Sequence, residues 1–384
     1  MRIARRSLVP PFAVMEVLAA ANARAAAGES VISLCAGQPA AGAPAAVRAA
    51  AMGLLADGDL GYTEAIGTPA LRSALATHYG RWYDVDVDRA RVVVTTGSSG
   101  AFLLAFLAAF EPGDRVALAR PGYPAYRNIL TSLGVDVVDL DCGPATGFRP
   151  TTAQLAAAYD DAPLSGLVLA SPANPTGTMV TGAELDAVVG WCADHGVRLV
   201  SDEIYHGITY GDAGRGATAV DRADEGAVVV SSFSKYWGMT GWRLGWLVLP
   251  PDLVPPVDAL AGNLALCPPA LAQHAALAAF TAESYAEADE RVRGYAAARE
   301  LLLRRVPSLG WRVAPPDGAF YLYADVGTDD SVAWCARLLA ETGVALTPGT
   351  DFDPVDGDRW VRLSFAAGEA AVEEALDRIE TWQR

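Results

Sequence analysis

The stretch Val228-Val-Val-Ser-Ser-Phe-Ser-Lys235-Tyr-Trp-Gly238 carries the reading of the fold. Its valine run is a short apolar segment of the kind that forms a strand buried on both faces. It gives way at once to small polar residues, a lysine and a glycine, the composition of a strand end leaving a sheet. Lys235 is the only lysine in the chain, and the other 28 basic residues are arginine. A coding bias toward arginine explains the scarcity of lysine but not the position of the survivor. A lysine amine can lose its proton to its surroundings and attack a carbonyl, which a guanidinium cannot do. A lone lysine at a strand end is therefore a candidate for covalent chemistry.

The same strand-then-helix rhythm repeats on both sides of this stretch. Val92–Thr95 precedes a helical stretch from Ser99 to Phe110. Val116–Leu118 precedes Tyr126–Leu133, and Leu167–Ala170 precedes Glu184–His195. Leu199–Val200, Val228–Phe233 and Leu244–Leu249 continue the strand series. Strands alternating with helices predict an α/β fold, with a mostly parallel sheet between helices. Residues 12–27 read as a helix closed by Gly28. After about Ala270 long helical segments run to Arg305, and strands follow near Phe320–Tyr323, Val344–Leu346 and Val361–Ser364. The expected organisation is an N-terminal arm and part of a small domain over 1–44, a large domain over 45–280, and a small α+β domain over 281–384.

Composition narrows the class. The 384 residues are 52% hydrophobic and 19% charged, ample for a core of domain size and unlike a disordered chain. The formal charge of −16 argues against nucleic acid or an anionic membrane as partner. Cys35, Cys142, Cys192, Cys267 and Cys335 are odd in number and never spaced as C-x-x-C, so reduced thiols are expected and neither a disulfide framework nor a metal site is. The early arginines are followed by a stretch interrupted by Glu16, Asn22 and Arg24, which does not read as an export signal, and the expected location is the cytoplasm.

In an α/β sheet, ligands bind at the carboxyl ends of the strands, and the polar motifs gather there. Thr95-Thr-Gly-Ser-Ser-Gly100 is a small-residue turn that opens a helix and offers backbone N–H groups to an anion. Asn174-Pro-Thr-Gly177 follows one strand, and Asp202-Glu-Ile-Tyr205 ends the next. Lys235 and Arg243 lie eight residues apart around Gly238-Met-Thr-Gly241. Arg362 sits in the late strand Val361-Arg-Leu-Ser-Phe365, where a charge between apolar neighbours needs a partner or a function.

Taken together and in this order, the motifs resemble those of the class I/II aminotransferases of fold type I, which depend on pyridoxal 5′-phosphate (PLP). The resemblance spans essentially the whole chain. It implies a large domain with a mostly parallel seven-stranded sheet, a smaller α+β domain, and a ping-pong transfer of an amino group from an L-amino acid to a 2-oxo acid. By this resemblance Lys235 forms the internal aldimine and shuttles the proton, and Asp202 pairs with the pyridine nitrogen. Tyr205 and Asn174 donate to the phenolic oxygen, and Tyr123, in Pro121-Gly-Tyr-Pro124, stacks on the ring. Ser98, Ser99, Gly100, Ser232 and Arg243 hold the phosphate, joined by Tyr62 of Gly61-Tyr-Thr-Glu64 from a second subunit of a homodimer. Arg362 is the fork for the substrate α-carboxylate, with Gly37 of Ala36-Gly-Gln-Pro39 and Asn174 beside it.

Some neighbours read as structural. Ser234 and Trp242 are expected to pack, His206 to hold a polar structural place, and His78, His195 and His274 are assigned nothing. Phe320 and Tyr321 resemble a segment lining the substrate side, although an aromatic strand of this kind also suits a core. Arg120 and Arg127, flanking Tyr123, are expected to face solvent.

Three other readings compete with this one. Ser232-Phe-Ser-Lys235 fits the S-x-x-K pattern of serine β-lactamases, but those also need a K-T-G element that a chain with one lysine cannot supply. A PLP-dependent lyase on the same fold, of the C–S β-lyase or cyclopropane-forming synthase type, shares nearly every residue above and stays open at this level. A regulator built on an aminotransferase-like domain would carry an added DNA-binding segment, for which the acidic balance gives no support.

Overall fold

The computed structural model describes residues 2–58 and 60–384. Seven strands form the large sheet: β2 (Val92–Thr95), β3 (Arg115–Arg120), β4 (Asp136–Asp141), β5 (Gly166–Ala170), β6 (Arg198–Asp202), β7 (Val228–Ser232) and β8 (Gly245–Val248), in the order β2-β8-β7-β6-β5-β3-β4. All pairings are parallel except the two made by β8, which runs against β2 and β7. The expectation of a mostly parallel seven-stranded sheet holds.

The valine run shows why these strands are apolar throughout. Side chains alternate between faces along a strand. Val228 and Val230 join the core on one face with Phe102, Phe106, Val116 and Val200, whereas Val229 joins the core on the other with Leu167, Leu199, Trp246 and Val248. Both faces are covered, so every position of β7 is buried. β4 escaped sequence reading because it is an edge strand with three acids in six residues (Asp136, Asp139, Asp141) and only one buried residue, Leu140.

A four-stranded antiparallel sheet holds the C-terminal chemistry. It comprises β9 (Arg312–Ala314), β10 (Tyr321–Asp325), β12 (Thr347–Pro348) and β13 (Trp360–Ser364), ordered β12-β13-β10-β9. The short β1 (Ile32–Ser33) pairs in parallel with β11 (Val344–Ala345), which ties the N-terminal arm to the C-terminal part. Arg362, on β13, stands opposite Tyr323 of β10 and Thr347 of β12.

Candidate active site

The carboxyl ends of β2, β5, β6 and β7 lie along one edge of the large sheet, and the predicted residues follow them in turn. At one end of the site, β2 runs into the helix Gly97–Ala109. Its N-cap residue, Thr96, makes no side-chain capping bond, and the Thr95 hydroxyl is spent on the Gly97 carbonyl at 2.9 Å. The first-turn amides, including those of Ser98, Ser99 and Gly100, are therefore a positive pole without a side-chain cap. Two glycines permit the arrangement. A Cβ on Gly97, whose φ is +68°, would collide with the Arg243 guanidinium. A Cβ on Gly245 would lie 2.7 Å from the Gly97 carbonyl carbon and 2.8 Å from the Ser98 nitrogen. Arg243 thus folds against the helix start, held by a 2.9 Å bond from Nη1 to the Thr240 carbonyl. Ser232 is buried beside it, its hydroxyl within 3.0 Å of the Leu244 carbonyl and 2.9 Å of the Ser234 hydroxyl. Ser234 is therefore part of a polar chain and not simply packing.

At the centre, the Asp202 carboxylate is buried at the end of β6. Tyr126 donates its hydroxyl to Oδ2, and the Ile204 amide donates to Oδ1 at 3.1 Å. Burial pushes the carboxyl up to about 6, while Tyr126, Ile204 and the charge of Lys235 pull against that rise. Lys235 donates from Nζ to the Gly37 carbonyl at 2.6 Å. Burial, aided by Arg362, pulls its ammonium down to about 8. Tyr205 is buried with its hydroxyl 2.7 Å from that of Tyr321. Tyr123 stacks on Phe12 of the N-terminal arm, with centroids 6.2 Å apart.

At the far end, Arg362 is buried between two rings, its guanidinium carbon 4.5 Å from the Tyr321 centroid and 4.6 Å from that of Phe352. It donates from Nη1 to Asn174 Oδ1 at 2.9 Å and from Nη2 to the Cys35 carbonyl and, at 3.4 Å, to the Thr347 hydroxyl. Its Nε is buried with no acceptor. That N–H is a free donor inside the site, able to meet a ligand oxygen.

The structure thus brings Lys235, Gly37, Tyr205, Asn174 and Arg362 into one contact network around Tyr321, with Asp202 under Tyr126. Tyr62 stands apart, 86% exposed. Sequence reasoning missed Tyr126, and it left Tyr321 between lining and core. The aromatic pair in Pro121-Gly-Tyr-Pro-Ala-Tyr126 is a signal, since the resemblance gives a role to only one of its tyrosines. Arg120 corrects an expectation: it is buried, 2.8 Å from Asp353 and 2.6 Å from Asp356. Arg127 is half-buried and paired with Asp139. His206 keeps a structural place, 2.6 Å from the Tyr83 hydroxyl.

The site is one that an anionic ring cofactor and an amino acid would fill together. The family model for aminotransferase class I and II matches residues 29–379. A valine–pyruvate aminotransferase of Mycobacterium tuberculosis is 53% identical, over 99% of this chain and 98% of its own. A crystal structure of an aminotransferase from the same organism superposes with a TM-score of 0.97 at 53% identity, covering 100% of this chain and 99% of that one. The aspartate aminotransferase of Thermus thermophilus with maleate gives 0.93 at 33% identity, over 99% and 100%. The chain belongs to the class I and II aminotransferases. It is an aminotransferase of fold type I, and its cofactor is PLP. Among the described residues no helix is long and apolar enough to cross a membrane.

Proposed function

We propose that the enzyme moves the amino group of a neutral, apolar L-amino acid to a small 2-oxo acid of the pyruvate type. The observation that carries this reading is the pair of basic poles. Arg243 with the open helix start suits a phosphate, and Arg362 with its unpaired Nε suits one α-carboxylate. A side-chain carboxylate would need a further cation. The two arginines that flank Tyr123 in the sequence, Arg120 and Arg127, are both committed to aspartates. The name of the 53% relative, a valine–pyruvate enzyme, supports the same substrate class.

The residues present fit PLP. Ser98, Ser99, Gly100, Ser232 and Arg243 would hold its phosphate, Tyr123 its ring face, and Asp202 its ring nitrogen. When bound, PLP supplies a carbonyl for the amine and an electron-withdrawing ring for the charge left at the substrate Cα. Asp202, kept from water, holds a proton on the ring nitrogen, and that positive charge in turn keeps the carboxylate ionised. Because Arg362 takes Asn174 Oδ1, the Asn174 amide is turned so that Nδ2 is its free donor. Asn174 Nδ2 and the Tyr205 hydroxyl are the donors for the phenolic oxygen. Lys235 Nζ, pulled down to about 8 by burial, is neutral near pH 7 in a far larger fraction than an ordinary lysine, and in that form it can take a proton from the substrate Cα and return it.

Tyr62 is assigned to the phosphate of a second subunit. A homodimer is supported by the exposure of Tyr62 and of Met52, Leu55, Leu264 and Leu266, and the helix bearing Leu264 lies beside the Tyr62 segment through the approach of Gly262 to Ala65. The test is a donor screen against pyruvate and 2-oxoglutarate, read by keto-acid formation. Valine-like donors with pyruvate are expected to lead. Aspartate or glutamate as the best donor overturns the substrate class.

A further inference from the structure

Tyr321 touches three residues of the site: Tyr205, Arg362 and Gly37. It is buried on β10, its hydroxyl 2.7 Å from the Tyr205 hydroxyl and the two rings nearly perpendicular at 81°. The guanidinium of Arg362 lies over its ring. Its hydroxyl also fills the space where residue 37 would place a Cβ, so only glycine fits there, and the Gly37 carbonyl takes Lys235 Nζ.

We infer that Tyr321 is a positioning residue that aims the Tyr205 hydroxyl at the phenolic oxygen of the cofactor and couples it to the carboxylate fork at Arg362. This rests on the roles proposed above for Tyr205 and Arg362. Two phenols in contact carry two protons and use one between them. When Tyr321 donates, the Tyr205 hydrogen is free for another acceptor, and an O–H whose oxygen already accepts a bond is a stronger donor. The guanidinium on the Tyr321 ring face polarises that phenol, opposing the effect of burial. A substrate carboxylate that neutralises Arg362 relaxes this pull, and the change reaches Tyr205. The link runs beside the one through Asn174 and depends on neither Asn174 nor its amide.

The test compares the holoenzyme with Tyr321→Phe and Tyr321→Leu. Phenylalanine keeps the ring under Arg362 and removes only the hydroxyl. A weaker Tyr205 donor leaves more negative charge on the phenolic oxygen, which holds the neighbouring proton to higher pH. The pH midpoint of the visible absorbance change is expected to rise by about half a unit in Tyr321→Phe. The KM for amino acids should stay within about twofold, because the ring face on Arg362 is kept. Tyr321→Leu, which loses the ring as well, is expected to raise that KM about five- to tenfold while sparing the amine that lacks the carboxylate. An unmoved midpoint in Tyr321→Phe overturns the inference, as does loss of bound cofactor from that variant, since the phosphate end is untouched. If Tyr321→Leu fails to fold, the phenylalanine arm still decides. A wild-type enzyme with no pH-dependent visible absorbance would instead refute the roles of Lys235 and Tyr205, a failure distinct from this one.

Discussion

The two basic poles of the site are built in opposite ways. The Arg243 pole is assembled from chain segments around one strand pair. The turn after β2 and the turn before β8 meet because β8 pairs with β2, and Gly97 and Gly245 let the backbones close up. The Arg362 pole is assembled from the far corners of the chain. Its partners lie 327 residues away at Cys35 and 188 away at Asn174, and they meet only when the small sheet docks on the large one. A pole made by backbone amides and strand pairing is rigid by construction. A pole made by groups from several distant segments depends on their mutual placement, and Tyr321 and Phe352 supply it by clamping the guanidinium between rings.

Lys235 stands between the poles, and its loss tests both. Lys235→Ala is expected to lower kcat by about 10⁴-fold or more, since it removes the residue proposed as both nucleophile and proton carrier. Borohydride should fix PLP to the peptide containing Lys235 in the wild type and leave the variant unlabelled. Labelling elsewhere would contradict the assignment.

Gly245→Ala attacks the local pole alone. Its Cβ meets backbone that cannot swing aside, so the helix start must move. PLP affinity is expected to fall by about ten- to hundredfold, the value of one charge-assisted hydrogen bond at roughly 1.5–3 kcal/mol. Equilibrium dialysis measures it, and saturating PLP should restore most of kcat. A kcat loss that excess PLP does not repair would mean the two poles are not separable.

The smallest effect concerns pH. The amine of Lys235 must be neutral to react, and its folded pKa lies below the ordinary 10.5, at about 8. The rate of PLP uptake by the apoenzyme should rise about tenfold per pH unit below 8 and level above it. A rate still climbing at pH 10 would show that burial and Arg362 do not depress the amine.

The same contrast governs what was legible in the sequence. The Arg243 pole, Asp202 and Lys235 sit in short motifs at strand ends, where the order of residues along the chain is also the order in space. Arg362 was visible as a charge in an apolar strand, but its surroundings were not. The contact of Tyr126 with Asp202 joins residues 76 apart, and that of Tyr205 with Tyr321 joins residues 116 apart. Nothing in local periodicity encodes such pairs. Arg120 looked like a surface residue beside a turn because its acids, Asp353 and Asp356, arrive on a loop of the C-terminal part. β4 was lost because an acidic edge strand lacks the apolar run that marks its neighbours.

The central claim is that the poles divide the labour, one for cofactor and one for substrate. Half-reaction kinetics of Arg362→Lys, followed with an amino acid and with its decarboxylated amine, test it most directly. A lysine keeps one positive charge but loses the planar fork that Tyr321 and Phe352 hold. The account predicts a cofactor spectrum close to wild type, a ten- to hundredfold loss in kcat/KM for the amino acid, and little loss for the amine. Equal losses for both substrates would show that Arg362 does not bind the α-carboxylate, and the division would fail.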